Sequence, residues 1–205
     1  MINLLPQDKF KKVMQSGFTM LEMLVVTAIV LVMSGVIIAY IPQFRDRSSL
    51  DLVAQEMALN IRSAQAFASG GRVGGSPLGF PNGVPSYGIF LTADEGVEEN
   101  FFMFTDENNS GVYDEDTDQI FETYSLQGVM VKEFRINGGS SATSGNVYIV
   151  YTRPSLQAKI CYNNDCAGET INQLEIVIQG LRSDVTRTIR VHFNGQISIV
   201  PTSSE

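Results

Sequence analysis

Histidine and cysteine are scarce in this sequence of 205 residues, which holds one histidine, His192, and two cysteines, Cys161 and Cys166. A structural zinc site takes four nitrogen or sulfur ligands, and these side chains cannot supply them. A Ser-His-Asp triad would have to use His192. The scarcity weighs against most hydrolytic and metal-redox chemistry.

Basic residues are also few. Lysine and arginine number 14 against 22 aspartates and glutamates, so the formal net charge is -8. Such a chain repels DNA and RNA on average, and we expect no nucleic-acid partner. Hydrophobic residues make up 44% and charged residues 18%, which is the composition of a globular rather than a disordered protein.

The apolar residues are concentrated near the N-terminus, in a run from Phe18 to Ile41. A helix of this length spans the hydrocarbon core of a bilayer, which needs about 20 residues. Three lysines and one aspartate precede the run, and by the positive-inside rule they place the N-terminus in the cytoplasm. The run is too long for an ordinary signal peptide, and no small-residue cleavage site follows it. We therefore expect a membrane-spanning helix over 18–41.

Glu22 is an acidic residue inside this apolar run. A carboxylate in the membrane costs roughly 2.5–3.5 kcal/mol on insertion scales, so it requires a partner or a function. One alternative is that Glu22, which lies one turn from the cytoplasmic edge, reaches the membrane interface with its carboxylate.

The segment S-G-F-T-M-L-E at 16–22 stands between a short basic leader and the apolar run. It resembles the class III signal of type IV pilins and type II secretion pseudopilins. The resemblance implies that a prepilin peptidase cuts between Gly17 and Phe18 and N-methylates Phe18, so that 1–17 is a cleaved leader. It also implies that Glu22 pairs with the terminal amine of a neighbouring subunit. A buried carboxylate and a buried ammonium each become tolerable when paired.

After the apolar run the pattern becomes amphipathic. Pro42 should kink the helix rather than end it, and Gly70-Gly71 should end it. Between them the apolar residues recur at roughly helical spacing: Leu52, Val53, Met57, Leu59, Ile61, Ala64, Phe67 and Ala68. We expect one long helix from about Phe18 to Ser69, whose part over 42–69 packs on a sheet. A loop rich in glycine and proline should follow over 70–85.

Alternating apolar and polar residues predict a β-rich head over 86–205. The expected strands are Tyr87–Thr92, Phe101–Thr105, Ile120–Leu126, Val129–Ile136, Val147–Thr152, Gln157–Tyr162, Leu174–Gln179, Thr186–Phe193 and Gln196–Val200. In the last pair, Ile189, Val191 and Phe193 alternate with polar residues. Asn194-Gly195 predicts a type I′ turn into the final strand, and His192 falls on the polar face.

One helix followed by nine strands predicts an α+β fold with an antiparallel sheet. The pilin resemblance implies the same architecture: a long N-terminal helix, transmembrane in its first half, packed on an antiparallel β-sheet body in a lollipop shape. The body is most similar to the minor pseudopilin H (GspH) and FimT-like group. It shares their strand-rich C-terminal half, an Asp-rich hairpin loop and a closing strand with a glycine turn.

The segment 106–118 is rich in acids and has the ligand spacing of a calcium loop. Gly111 supplies the sharp turn at the sixth position, whereas Thr117 stands where a bidentate glutamate belongs. Oxygen ligands suit Ca²⁺ rather than Zn²⁺. The alternative is a solvated hairpin loop shaped by Asn, Ser and Gly, and both stay open at this point. The candidate calcium ligands are Asp106, Asn108, Ser110, Val112, Asp114, Asp116 and Asp118.

Cys161 and Cys166 enclose a short loop, Tyr-Asn-Asn-Asp, that lets their Cα atoms meet. A body outside the cytoplasmic membrane lies in a compartment that permits a disulfide. We expect that disulfide, with two free thiols as the alternative.

These features predict a structural subunit rather than an enzyme: a pilin or minor pseudopilin of a type IV pilus or type II secretion pseudopilus, polymerised through its N-terminal helix. The implied partners are a prepilin peptidase, other pilin or pseudopilin subunits, an inner-membrane assembly platform and membrane lipid. The implied location is the cytoplasmic membrane, with the head outside, and then an extracellular or periplasmic filament. The alternatives are a tip-located adhesin or binding module and a DNA-uptake pilin, which the acidic charge disfavours.

Overall fold

A computed structural model of the chain describes residues 17–70, 85–93, 100–126, 128–142, 145–155, 157–166, 171–181 and 184–201. The leader up to residue 16 and the interior of the Gly/Pro loop, 71–84, lie outside the described residues. The chain divides into two compact units, Met1–Pro42 and Gln43–Glu205.

Helix α1 runs from Met20 to Gly70, within two residues of the expected start and one of the expected end. The helix continues through Pro42, as the sequence predicts. The segment Met20–Ile41 is the one helix among the described residues that is long and apolar enough to cross a membrane. None of that segment is buried, in contrast to the core helix of a soluble protein. It therefore has the length and the exposed apolar surface that a lipid environment requires.

Ten described strands follow the helix: β1 Ser86–Thr92, β2 Asn100–Asp106, β3 Gln119–Ser125, β4 Val129–Ile136, β5 Ser140–Ala142, β6 Asn146–Tyr151, β7 Ala158–Tyr162, β8 Gln173–Gly180, β9 Thr186–His192 and β10 Ile197–Pro201. Nine of them lie within one residue of the predicted bounds. The short β5 was not predicted, because Ser-Ser-Ala has no apolar alternation and becomes a strand only by pairing with β4.

The strands form two five-stranded antiparallel sheets, where the sequence predicted antiparallel sheet without dividing it. The first sheet has the order β3-β2-β1-β6-β7 and the second has the order β10-β9-β8-β4-β5. One hydrophobic core joins the helix after Pro42 to both sheets, with Ile89 and Met103 from the first and Ile176 and Ile189 from the second. The amphipathic half of α1 is thus covered by two sheets rather than by one.

The buried stripe of α1 differs from the predicted one. Leu52 and Leu59, both expected in the stripe, are 62% and 57% exposed, whereas Leu50 is fully buried. Each residue of an α-helix turns the direction of the side chain by about 100°, which places Leu52 and Leu59 on the side away from the core. The buried residues recur at the three- and four-residue spacing of one helix face: Leu50, Val53, Ala54, Met57, Ala58, Ile61, Ala64 and Ala68.

Polar contacts fix this part of α1 along the β9–β10 side of the second sheet. Arg187 Nε lies 2.6 Å from Asp51 Oδ1, in an ion pair between β9 and the helix. Arg62 Nη2 donates to the carbonyl of Ile197 at 3.0 Å, and Gln65 Nε2 donates to that of Gly195 at 3.4 Å. Asp51 lies about three turns before Arg62, and Gln65 lies about one turn after it, on the same flank of the helix. The three contacts therefore set the direction of the helix along β9 and β10.

The turn between β9 and β10 is not the predicted type I′ turn. Such a turn needs positive φ at both central residues, and only Gly195 of the pair has it, at 85°. Gly195 N donates to the carbonyl of His192, and His192 N donates to that of Gln196, both at 2.9 Å. The connection is therefore a longer turn closed by a left-handed glycine. Phe193 lies in this turn and is 43% exposed rather than inward-facing.

A second, smaller core lies on the outer face of the first sheet, away from the helix. It is built on Phe104, Tyr148, Val150 and Cys161. The ring of Phe104 lies across Gly88, where a built Cβ atom would come within 2.5 Å of the ring carbon Cζ. Gly88 is thus required for the close approach of Phe104 rather than for a turn.

This contact predicts that Gly88→Ala destabilises the body by about 1–3 kcal/mol, since overpacking forces the ring of Phe104 to shift. The measurement is chemical unfolding of the full-length protein in detergent, followed by near-UV circular dichroism. Gly139→Ala is the matched control, because a Cβ atom there meets nothing within 4 Å. Equal stability of the two variants would show that Phe104 moves aside without cost.

Candidate functional site

The residues of the predicted processing site lie just ahead of α1. Gly17, Phe18 and Thr19 are described as non-helical, and all three are exposed. A Cβ atom built on Gly17 meets nothing within 4 Å, and the ring of Phe18 is 76% exposed. The Gly17–Phe18 peptide bond therefore lies ahead of the helix, between two exposed residues.

Thr19 is the N-cap of α1, a role that the sequence analysis missed. Its hydroxyl Oγ1 accepts a hydrogen bond from the backbone N–H of Glu22 at 3.2 Å. Its carbonyl accepts the N–H of Met23, also at 3.2 Å. The signal was present in the sequence, because Thr-x-x-Glu before an apolar run is the pattern of a capping box.

Glu22 lies in the first turn of the helix. The amide groups of that turn carry the positive end of the helix dipole, which favours a negative side chain there. Glu22, the one acidic residue of the apolar run, therefore lies where the helix dipole partly offsets its charge.

Cys161 and Cys166 are joined by a disulfide, with 4.5 Å between their Cα atoms. Tyr162 and Asp165 exchange backbone hydrogen bonds across the enclosed loop. Asn163 and Asn164, the central residues, both have positive φ, 48° and 64°. Two successive left-handed residues are the mark of a type I′ turn, which therefore occurs here rather than at Asn194-Gly195.

His192 is half-buried in β9, opposite Gln173 of β8.

The acidic segment connects β2 to β3 as a hairpin loop. Its first aspartate, Asp106, is 1% exposed, although the plain-loop alternative treated it as solvated. One carboxylate oxygen of Asp106 accepts the N–H of Ser110 at 3.0 Å, and the other accepts the N–H of Gly111 at 2.9 Å. Asp106 therefore holds the start of the loop in a tight turn.

Asp118 does the same at the other end of the loop and is 6% exposed. Its two oxygens accept the N–H groups of Glu107 at 3.0 Å and Asp114 at 2.9 Å. The oxygens of both buried carboxylates thus accept hydrogen bonds from backbone amides, as those of turn-forming aspartates do.

The remaining candidate calcium ligands make short-range contacts within the loop. Asn108 Oδ1 accepts the N–H of Ser110 at 2.8 Å, and Ser110 Oγ donates to the carbonyl of Val112 at 2.9 Å. Asp114 Oδ1 accepts the N–H of Asp116 at 3.1 Å. Within the described ranges, no group of three or more His, Cys, Asp or Glu side chains is arranged to hold a metal ion. The geometry favours the hairpin alternative, and calcium binding stays a prediction.

The loop also packs on the body. Val112 and Tyr113 join the small outer core, and the ring of Tyr113 meets Phe102 and Phe104 edge-on at 5.1 Å and 5.5 Å. Lys159 of β7 donates from Nζ to the carbonyl of Ser110 at 2.8 Å. The loop is therefore an anchored part of the first sheet. Among the acids of 106–118, Asp106 and Asp118 are buried, Glu107 is half-buried, and Asp114, Glu115 and Asp116 are exposed.

Burial raises the pKa of Asp106 above its ordinary value of 3.8, and the charge of Asp118 raises it too. Hydrogen bonds from Gly111 and Ser110 oppose this rise. Burial likewise raises the pKa of Asp118, against hydrogen bonds from Asp114 and Glu107. Both groups therefore bind protons more readily in the folded chain than in the unfolded one.

A carboxyl group with a raised folded pKa contributes stability at low pH that is lost as the pH rises through that pKa. Asp106→Asn removes this dependence. The free energy of unfolding of the variant, minus that of the wild type, should therefore rise from about pH 4 to pH 7. Asp118→Asn should show the same sign. Denaturant titrations of the full-length protein across this range measure the difference.

A difference that falls with increasing pH would mean that the amide hydrogen bonds outweigh burial and depress both pKa values. The same titration with millimolar Ca²⁺ or with chelator tests the calcium alternative. A gain in stability with Ca²⁺ that Asp106→Asn abolishes would restore the ion as a ligand of the loop.

Comparisons with known proteins agree with the N-terminal geometry. The sequence model of the family described as "Prokaryotic N-terminal methylation motif" matches residues 12–38, which include the Gly17–Phe18 bond and Glu22. No curated protein sequence matches the chain.

A solved structure, that of the minor pseudopilin EpsH from the Type 2 Secretion System of Vibrio cholerae, is similar at 10% sequence identity with a TM-score of 0.43. The alignment covers 77% of this chain and 99% of EpsH. A likeness of this degree has no bearing on what the chain binds or builds.

The signal at 12–38 precedes an α+β body in which a helix packs on antiparallel sheets. By that signal, the chain is similar to proteins that carry the prokaryotic N-terminal methylation motif.

Proposed function

We propose that the chain is a structural subunit of a type IV pilus or type II secretion pseudopilus, cut after Gly17 and polymerised through α1. The observation that carries the proposal is the methylation motif, placed on an exposed non-helical peptide directly before a capped apolar helix. A filament subunit needs no catalytic group. The buried aspartates Asp106 and Asp118 and the disulfide hold loops of the body.

Processing requires the peptidase to reach one peptide bond beside the membrane surface. Thr19 fixes the helix start at Met20, so the Gly17–Phe18 bond stays outside the helix. A protease binds its substrate in an extended form, and a helical bond would first have to unwind. The cap therefore keeps the cleavage point accessible while the apolar segment stays helical.

Filament assembly then uses the N-terminal amine that cleavage creates on Phe18. The new amine of Phe18 and the carboxylate of Glu22 have opposite charges and lie at the same end of the helix. Each is costly in a lipid environment when alone, and a pair between neighbouring subunits relieves both costs. Such a pair also sets the axial position of one helix against the next.

The exposed apolar length of Met20–Ile41 supports storage in the membrane before assembly. We infer a single pass with the basic leader in the cytoplasm and the head outside, a location that suits the disulfide between Cys161 and Cys166.

Gly17→Ala should be processed poorly, because a side chain enters a peptidase site shaped for glycine. Intact-mass analysis of the membrane form should show loss of Met1–Gly17 and one added methyl group on Phe18 for the wild type, and mostly full-length precursor for the variant. Gly35→Ala is the control, since it adds the same methyl group within the helix. Recovery of the protein with its leader intact from wild-type cells that have an active prepilin peptidase would contradict the proposal.

Glu22→Ala should insert into the membrane as well as the wild type or better, because an apolar group replaces a costly acid. Its incorporation into filaments should fall sharply, since breaking a buried pair costs about 3–5 kcal/mol. Quantitative immunoblotting of the membrane and sheared-filament fractions separates the two effects, with Glu22→Asp as the charge-retaining control. Normal incorporation of Glu22→Ala would leave Glu22 as an interfacial residue without an assembly role.

A further inference from the structure

Three basic residues lie in α1, and the body engages one of them. Arg62 donates to the carbonyl of Ile197 at 3.0 Å. The other two, Arg45 and Arg47, are exposed. Within the described ranges, the ion pairs use arginines of β4 and β9, so neither Arg45 nor Arg47 is neutralised by one. Two guanidinium groups can therefore bind an anion outside the head.

Both arginines follow the apolar segment closely. Met20–Ile41 has 22 residues, which make a helix of about 33 Å, against about 30 Å for the hydrocarbon core of a bilayer. Arg45 and Arg47 come four and six residues after Ile41, so at most about 6 and 9 Å of helix separate them from the end of that segment. The headgroup layer on each side of the core is about 5–8 Å thick. The two guanidinium groups therefore lie at the depth of lipid phosphates when the apolar segment spans a bilayer.

Exposed aromatic side chains mark the same boundary. Tyr40, near the end of the apolar segment, is 66% exposed, and Phe44, directly before Arg45, is 73% exposed. Tyrosine is enriched at the level of lipid headgroups, where its ring meets apolar chains and its hydroxyl meets water. Lipid that surrounds α1 before assembly also removes the ring of Phe44 from water.

Arginine suits a phosphate ligand through its geometry as well as its charge. The planar guanidinium group donates two parallel hydrogen bonds to phosphate oxygens. Asp46 lies between the two arginines in the sequence, so the charge of this stretch is +2 - 1 = +1. Because the net charge is small, binding depends on the two guanidinium groups themselves. A zwitterionic headgroup is a weaker ligand, since its own ammonium group repels them.

We propose that Arg45 and Arg47 bind the phosphates of anionic lipid headgroups on the head side of the membrane. The proposal rests on the membrane storage of α1 in the proposed function. The two contacts fix the depth of the helix, because a shift toward the cytoplasm would carry both charges into the hydrocarbon core. A subunit that leaves the membrane for a filament gives up both contacts.

The test measures lipid binding to the full-length protein in detergent by native mass spectrometry. Dioleoylphosphatidylglycerol is the anionic lipid and dioleoylphosphatidylcholine the zwitterionic one. The wild type should bind the anionic lipid at least about fivefold more tightly than the zwitterionic one. Arg45→Gln combined with Arg47→Gln should weaken binding of the anionic lipid at least about fivefold and leave the zwitterionic lipid within about twofold. Lysine at both positions should restore part of the loss, because the charges return without the paired hydrogen bonds.

Lys132→Gln combined with Arg135→Gln is the matched control, since it removes the same charge from exposed positions of β4. It should leave both affinities within about twofold, as expected for exposed charges away from the membrane. A second control changes the three lysines of the leader to glutamine. The loss caused by the glutamine pair at 45 and 47 should be the same in that background.

Equal binding of the two lipids by the wild type would overturn the proposal. So would an anionic preference that the glutamine pair at 45 and 47 leaves intact, or one that disappears with the leader lysines alone. If the glutamine pair lowers incorporation into filaments without changing lipid binding, the arginines contact a neighbouring subunit and the lipid site is wrong. Extraction of the wild type from membranes by alkaline carbonate would overturn membrane storage in the proposed function, and this site with it.

Discussion

The body depends on one helix face that two sheets share. From Leu50 to Ala68, the buried side of α1 carries small and medium apolar side chains, and alanines recur along it. Small residues let both sheets approach the helix closely, while Met57 and Ile61 supply apolar area. The residues of this face belong to the same hydrophobic core as the inner residues of both sheets, so the helix and the two sheets bury apolar surface together.

Apolar burial is non-directional, so it does not fix how the helix is oriented on the sheets. Polar contacts supply that orientation. The ion pair between Asp51 and Arg187 and the bonds from Arg62 and Gln65 align α1 with β9 and β10. These bonds occupy the flank toward the second sheet. On the opposite flank, the ring of Phe67 packs edge-on against Phe121 of β3. The helix therefore contacts β10 through hydrogen bonds and β3 through aromatic rings.

The outer face of the first sheet shows how a polar loop becomes part of a fold. Gly88 allows the ring of Phe104 to lie flat, and Tyr113 then packs on that ring. This contact holds the loop against the sheet. Asp106 and Asp118 are buried in the loop, and their oxygens accept hydrogen bonds from backbone amides. Local turn chemistry and aromatic packing support each other, since neither buried carboxylate would be tolerated without its hydrogen bonds.

The sequence alone determined the elements and their order. The apolar run, the acid at position 22 and the alternation after Ser86 are local patterns, and local patterns identify helices and strands because side-chain direction repeats along them. Tertiary structure decided which residues those elements bury. The sequence cannot tell Leu50 from Leu52 as a core residue, since the direction that faces the sheets depends on where the sheets lie. For the same reason the division into two sheets and the burial of Asp106 emerged only from contacts between residues distant in the chain.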